Sequence, residues 1–202
     1  MRARLIGTLA AGAALAVSAV LTGTASAQPA TWTVTPGGAF TGAAGETDLT
    51  TEGGVELFCS SSTAAGTAQS GSGLSNPLAQ LPEGSVTFND CQGPFGLSFD
   101  VAHIGTWDLN GVSYDSASGV TTGTLDNITA NISGPGCEAT VTGSVNATYT
   151  NGSGVLSVLP DQTLTISTVD PNNDCLGLIT QGEHAGFSGD YQISPVLTVT
   201  SP

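Results

Sequence analysis

From Cys137 to Thr150 apolar and polar side chains alternate without a break. Cys137, Ala139, Val141, Gly143, Val145, Ala147 and Tyr149 fall on one side; Glu138, Thr140, Thr142, Ser144, Asn146, Thr148 and Thr150 fall on the other. A period of two is the signature of a strand with one face in the core and one in water. A strand this long needs neighbours on its edges, and the chain announces one at once. Asn151-Gly152, the strongest short hairpin signal, leads back through residues 155–159. The same alternation runs through Phe95, Leu97, Phe99, Val101, His103, Gly105, Trp107 and Leu109, with Gly105 placed to make a bulge near Ile104. Asn110-Gly111 predicts a second hairpin, between 106–109 and 112–114. Further strands are expected at 32–35, 55–59, 85–88, 119–131, 163–169, 191–194 and 197–200. Residues 60–82, rich in Ser, Gly and Ala, read as the longest irregular connection. No stretch after residue 27 carries a 3.6-residue apolar repeat. The expectation is an all-β fold: a single antiparallel β-sandwich or barrel.

The first 27 residues follow a different logic. Arg2 and Arg4 precede an apolar, Ala-rich run from Leu5 to Leu21, and Ala25-Ser26-Ala27 fits the small-residue cleavage rule. Residues 1–27 therefore read as a secretory signal peptide, and 28–202 as one secreted domain. No positive stop-transfer flank follows the apolar run, so no membrane span is expected after the signal is removed.

Charge then narrows the partners. The formal net charge is −14 at pH 7, from 16 Asp and Glu against two basic residues, both in the first four positions. The domain after the signal thus has no Lys or Arg. It offers no phosphate clamp, no basic groove for nucleic acid and no lysine nucleophile. It also offers no cleavage site to trypsin-like proteases, which suits a durable extracellular protein.

All four cysteines, Cys59, Cys91, Cys137 and Cys175, lie in the exported part. An even count outside the cytoplasm predicts two disulfides, for which three pairings are possible. Cys59–Cys91 and Cys137–Cys175 are favoured, because each closes a loop within one half of the chain. Each would contribute about 3–4 kcal/mol by restricting the unfolded state. A zinc site would need close Cys-x-x-Cys pairs, and the chain has none.

Candidate chemistry is sparse. His103 has Asp100 and Asp108 nearby in sequence, but no nucleophile-elbow signature frames any serine. On an apolar face His103 reads as a hydrogen-bonded core residue, and His184 as part of a turn. Asp170, Asn172 and Asp174 put oxygen side chains at alternate positions, matching the first half of an EF-hand calcium loop. The match stops there, since Cys175 stands where that loop has Gly and Gln181 where it has Glu. The plainer reading is a turn set by Pro171 and the asparagines. No catalytic residue and no cofactor other than that calcium option is assigned. Phe95, Phe99 and Trp107 are the residues expected to face a ligand within the β core.

Residues 31–38 (TWTVTPGG), 105–109 (GTWDL), 132–137 (ISGPGC) and 187–195 (FSGDYQISP) resemble secreted β-proteins of actinobacteria. That resemblance implies an exported β domain and no particular activity. The order of cysteines and strands, with the short apolar run Leu176-Gly177-Leu178-Ile179 after the last cysteine, is more faintly similar to secreted proteins described as activators of alkane oxidation. The leading functional expectation is a non-enzymatic extracellular or cell-surface protein with a matrix, cell-wall or binding role. A carrier of a small apolar ligand in the β core is the alternative, and a secreted hydrolase the third. The oligomeric state is left open.

Overall fold

The computed structural model describes residues 31–202, so the signal-peptide reading lies outside the described residues. Within them the fold is all-β. The strands are β1 (Trp32–Thr35), β2 (Gly38–Thr51), β3 (Glu56–Ala68), β4 (Gly71–Leu74), β5 (Ala79–Leu81), β6 (Val86–Gln92) and β7 (Ser98–His103). They continue as β8 (Trp107–Asp115), β9 (Val120–Gly134), β10 (Cys137–Thr150), β11 (Val155–Val158), β12 (Leu164–Asp174), β13 (His184–Ser194) and β14 (Thr198–Thr200). Every pairing among them is antiparallel.

The pairings close on themselves. β2 pairs with β3, β3 with β6, β6 with β7, β7 with β9, β9 with β10, β10 with β12, β12 with β13, and β13 with β2. Three wall positions are split between two strands end to end: β6 with β5, β7 with β8, and β12 with β11. The result is an eight-position up-and-down barrel, in which closure leaves the wall without an unpaired edge. A separate small sheet, β14-β1-β4, covers one end.

The wall follows the predicted alternation where the sequence states it strongly. β9 and β10 pair along almost their whole length, from Cys137 opposite Gly134 to Thr150 opposite Val120. Their inward side chains include Leu125, Ile132, Val141 and Val145, all buried, while Thr, Ser, Asn and Glu face out except for the buried Thr121. A membrane-spanning barrel needs the opposite, an apolar outer band. Among the described residues no helix is long and apolar enough to cross a membrane.

Three expectations need correction. Residues 60–82 are not an irregular connection: they hold most of β3, all of β4 and β5. At Gly66 the inward position of β3 must be small, because Phe40 of β2 occupies the space before it. A methyl group at Gly66 would stand 2.6 Å from Phe40 Cζ. Residues 38–51, where no strand was expected, form the 14-residue β2, for the same reason of small inward residues. Finally, Asn110-Gly111 is no hairpin; both residues lie inside β8, at an irregularity in its pairing with β9. Glycine is needed there because the Trp32 ring lies directly on it, so that any side chain would overlap the indole. The split near Ile104 does occur at Gly105, whose φ is +72°. It separates β7 from β8 within one wall position. Asn151-Gly152 does turn β10 into β11.

Both disulfides are formed with the favoured pairing, Cys59–Cys91 and Cys137–Cys175, across sequence separations of 32 and 38. Cys59–Cys91 ties adjacent wall strands β3 and β6. Cys137–Cys175 ties the start of β10 to the turn after β12.

Candidate functional site

The barrel interior is not filled to the end. Four apolar cavities run in single file through it. The one beneath the small sheet, of about 80 Å³, is bounded by Phe40, Leu109, Ala147, Tyr149 and the covering residues Val34 and Val199. The next, about 20 Å³, shares Phe40, Leu109, Leu156 and Ile193 with it and adds Trp107 and Phe187. A third, about 40 Å³, shares Trp107 and Phe187 and reaches Thr47, Leu49, Leu57 and Ile132. The last, about 60 Å³, shares Leu49, Leu57 and Ile132 and ends among Phe99, Cys137, Cys175, Leu176 and Leu178. Position along β10 gives the order directly: Tyr149 at the covered end, Val141 midway and Cys137 at the other.

That other end meets solvent. Leu176 and Leu178 line the last cavity and are themselves 57 % and 38 % exposed. Pro94 lines it as well, and its neighbour Phe95 is 84 % exposed. The two rim turns are built alike. Leu97 N–H bonds to the Pro94 carbonyl around Phe95-Gly96, and Leu178 N–H bonds to the Cys175 carbonyl around Leu176-Gly177. In both, the bulky residue takes a left-handed backbone, with φ +62° at Phe95 and +58° at Leu176. A large side chain seldom adopts that region, so the surrounding structure imposes it. Each turn is anchored by a disulfide, Cys175 within its turn and Cys91 three residues before Pro94. The mouth is thus a braced apolar ring.

The predicted ligand-facing residues separate on this axis. Trp107 is buried between the two inner cavities, Phe99 lines the mouth cavity, and Phe95 stands outside on the rim. Pro94 and the left-handed turn break the alternation that aligned Phe95 with the other two. Leu49, Leu57 and Ile166 also form the mouth, together with Leu176 and Leu178 of the short apolar run after the last cysteine, none of which the sequence marks as ligand-facing. A signal for the rim was present: Asn89-Asp90-Cys91 precedes Phe95-Gly96-Leu97, and Asn173-Asp174-Cys175 precedes Leu176-Gly177-Leu178.

His103 is buried beside Trp107, with ring centroids 4.2 Å apart. Its Nδ1 accepts the Val86 N–H at 3.1 Å, which puts the proton of the neutral ring on Nε2. Burial pushes its pKa below the usual histidine value, against smaller opposing effects of the Glu83 charge and the Gly105 backbone. His184 is exposed, with Nδ1 3.3 Å from the Leu164 carbonyl. Asp170, Asn172 and Asp174 lie in the tail of β12, beside the rim. Asp170 Oδ1 accepts the N–H groups of Asn172 and Asn173 at 2.7 and 3.0 Å, which makes the segment a side-chain-braced turn. Among the described residues no three His, Cys, Asp or Glu gather in a metal-binding group.

Among the described residues four buried side-chain polar atoms have no hydrogen-bond partner: Thr47 Oγ1, Ser85 Oγ, His103 Nε2 and Trp107 Nε1. Two of them, on Thr47 and Trp107, belong to residues lining the same inner cavity.

No family model matches the chain, and no curated protein or solved structure does either.

Proposed function

We propose that this is an exported, non-enzymatic binding protein that carries a small apolar molecule inside its barrel, loaded through the disulfide-braced mouth. The observation that carries this reading is the file of four carbon-lined cavities, each sharing lining residues with the next from the covered end to an exposed rim. Apolar cavities of this kind stay dry, so a fitting apolar molecule gains contacts there without displacing bound water. Export is supported by the leader-like first 27 residues and by two disulfides, which persist in oxidising compartments. A non-enzymatic role is supported by the engagement of the acid–base groups. His103 is buried and neutral, and the carboxylates with hydrogen-bond partners hold turns and strands.

The test is organic extraction of the protein purified from its native medium, followed by mass spectrometry, with fluorescence titration of Trp107 and Trp32 against alkanes, arenes and terpenes. A stoichiometric extracted molecule, or saturable quenching by one class, is the expected result. A clean extract with no response across the panel would sink the carrier reading. Association with a wall or matrix is the second reading, favoured by the exposed apolar rim of Phe95, Leu176 and Leu178. Fractionation of a native culture separates the two: a carrier is free in the medium, a matrix protein sediments with the wall.

A further inference from the structure

Two neighbouring wall positions are interrupted at the same level of the barrel. One passes from β5 to β6, the other from β7 to β8. The ladder between them ends at Thr87 opposite Ala102 and resumes at Leu81 opposite Trp107, so no register pair joins 82–86 to 103–106. Each flank is fastened on its far side instead. The Ser85 carbonyl accepts the Ala65 N–H of β3, and Ile104 N–H donates to the Thr129 carbonyl of β9, both at 2.9 Å. The side-chain tie across the gap is His103 Nδ1, which accepts the Val86 N–H at 3.1 Å in the place of a strand carbonyl. Behind the gap lies the interior, since Leu81, Val86 and Trp107 all line one inner cavity. The seam is also poorly satisfied. Ser85 Oγ, His103 Nε2 and Trp107 Nε1, three of the four unpartnered buried side-chain atoms among the described residues, belong to it. Each lowers the cost of opening the segment that holds it, because water satisfies the atom once it is exposed.

We propose that this seam is an acid-opened gate in the barrel wall, with His103 as its latch: protonation of the ring breaks the tie to Val86 and parts 82–86 from 103–106 beside Trp107. Neutral His103 accepts at Nδ1 because its proton sits on Nε2. The charged ring donates from both nitrogens, so its Nδ1–H meets the Val86 N–H donor to donor and the tie is lost. In the closed wall burial opposes the charge, while Glu83, in the turn before β6, and the Gly105 backbone favour it less strongly. The strands packed against the ring add no titratable group facing it. β6 brings Val86, β8 brings Trp107, and β9 brings Ala130 directly opposite. Asp100, Asp108 and Asp126 stand on outward positions of β7, β8 and β9. An open histidine has the ordinary value near 6.5 and the closed one a lower value, so opening becomes easier as pH falls below about 6.5 and gains nothing above it. The gate does not depend on what the barrel carries; it adds a lateral route to the interior at Trp107.

The test follows amide hydrogen exchange of the oxidised mature protein from about pH 7.5 to about pH 5.5, each rate divided by that of an unprotected amide at the same pH. Protection at Val86 is expected to fall by up to about tenfold across that range, the factor that one coupled proton allows, while amides of β10 hold theirs. Acrylamide quenching of tryptophan emission should rise in step. His103→Asn keeps an oxygen acceptor near the place of Nδ1 but takes up no proton, so its Val86 protection should not change with pH. Val86 protection that runs parallel to that of β10 in the native protein overturns the gate. A fall that persists in His103→Asn overturns it too, as does a fall with no rise in quenching. Glu83→Gln, at an exposed turn, decides the matter if His103→Asn does not fold. It removes a charge that helps the closed ring hold a proton, so the fall at Val86 should go deeper; a fall that does not deepen overturns the latch.

Discussion

A domain without lysine or arginine must find other donors for its carboxylates, and it uses amides, hydroxyls and the backbone. Asp108 accepts from Gln80 and Asn127, Asp126 from Asn110 and Thr124, and Asp161 from Asn146. Glu183 is the most structural case. Its two oxygens accept the Gly53 N–H at 2.8 Å and the Thr180 N–H at 3.0 Å, joining the β2–β3 turn to the segment before β13. Desolvation pushes its pKa up, but the hydrogen bonds from Thr180, Gly53 and Thr51 together outweigh it and leave the value below the ordinary 4.5. A depressed carboxyl stabilises the native state above its unfolded pKa, and that contribution is lost as pH falls through the native value. Glu183→Gln is therefore expected to cost about 1 kcal/mol at pH 7. The gap to the native protein should narrow steadily below pH 4.5. A gap independent of pH in urea melts would refute the assignment. The buried chain from Tyr191 through Ser62 to the Thr87 carbonyl gives a second residue-level prediction. Burial pushes the Tyr191 pKa up to about 12, against the opposing bond to Ser62. One tyrosine of the three should thus ionise about two units late in an absorbance titration. Ser62→Ala, which strands the Tyr191 hydroxyl in the core, should cost about 1–3 kcal/mol. Tyr191→Phe removes the donor along with its need for a partner and should cost less. The reverse order would show that the two hydroxyls do not act as a pair.

The elements show where a sequence speaks and where it is silent. β9 and β10 were legible because their inward residues are large and their outward ones polar. β2 and most of β3 were not: their inward positions include Gly42, Ala44, Ala64 and Gly66, and the space before the glycines is filled from other positions, by Ile193 and Tyr191 at Gly42 and by Phe40 at Gly66. Asn110-Gly111 carries a turn signal that tertiary packing overrides, because Trp32 of β1 needs a bare backbone at 111. Two strands of the small covering sheet, β1 and β14, were legible, but β4 and the sheet's place as a cover were not, since what attaches it is side chains imitating backbone. Asn151 donates from Nδ2 to the Val199 carbonyl and accepts the Val199 N–H at Oδ1, both at 2.8 Å. Asn76 does the same with Gly111 at 2.9 Å, and Tyr149 OH bridges the N–H and carbonyl of Leu197. These three side chains dock the β1–β4–β14 cover onto the barrel. Asn151→Ala should therefore cost about 1–3 kcal/mol, because it leaves the Val199 N–H unpaired and its carbonyl with only the long 3.4 Å bond from Thr121 Oγ1. The Val199 amide should also exchange with deuterium faster than amides of β10. Unchanged protection at Val199 would mean that strand pairing alone holds the cover.

At the scale of the molecule two opposed demands meet. The proposed carrier role asks for an interior left partly empty, which forfeits packing contacts along the whole axis. Composition adds like-charge repulsion over the outer surface, with no Lys or Arg among the described residues to offset it. Closure of the wall and two disulfides supply what the core does not, since each cross-link contributes about 3–4 kcal/mol by restricting the unfolded chain. The repulsion has a direct signature. In most proteins, salt screens attractions and repulsions together and the effects largely cancel; here only repulsion between carboxylates is left to screen. Raising sodium chloride from 10 to 150 mM shortens the Debye length from about 30 to about 8 Å. At pH 7 this should raise the melting temperature by about 2–4 °C, the shift that about 1 kcal/mol produces in a domain of this size. The rise should level off once screening is complete, which separates it from the continued climb that excluded salts such as sulfate produce. It should also shrink toward pH 4, as carboxylates take up protons and the charge to be screened disappears. A melting temperature that is flat or falling between 10 and 150 mM would mean that the hydrogen-bonded carboxylates hold one another at no net electrostatic cost.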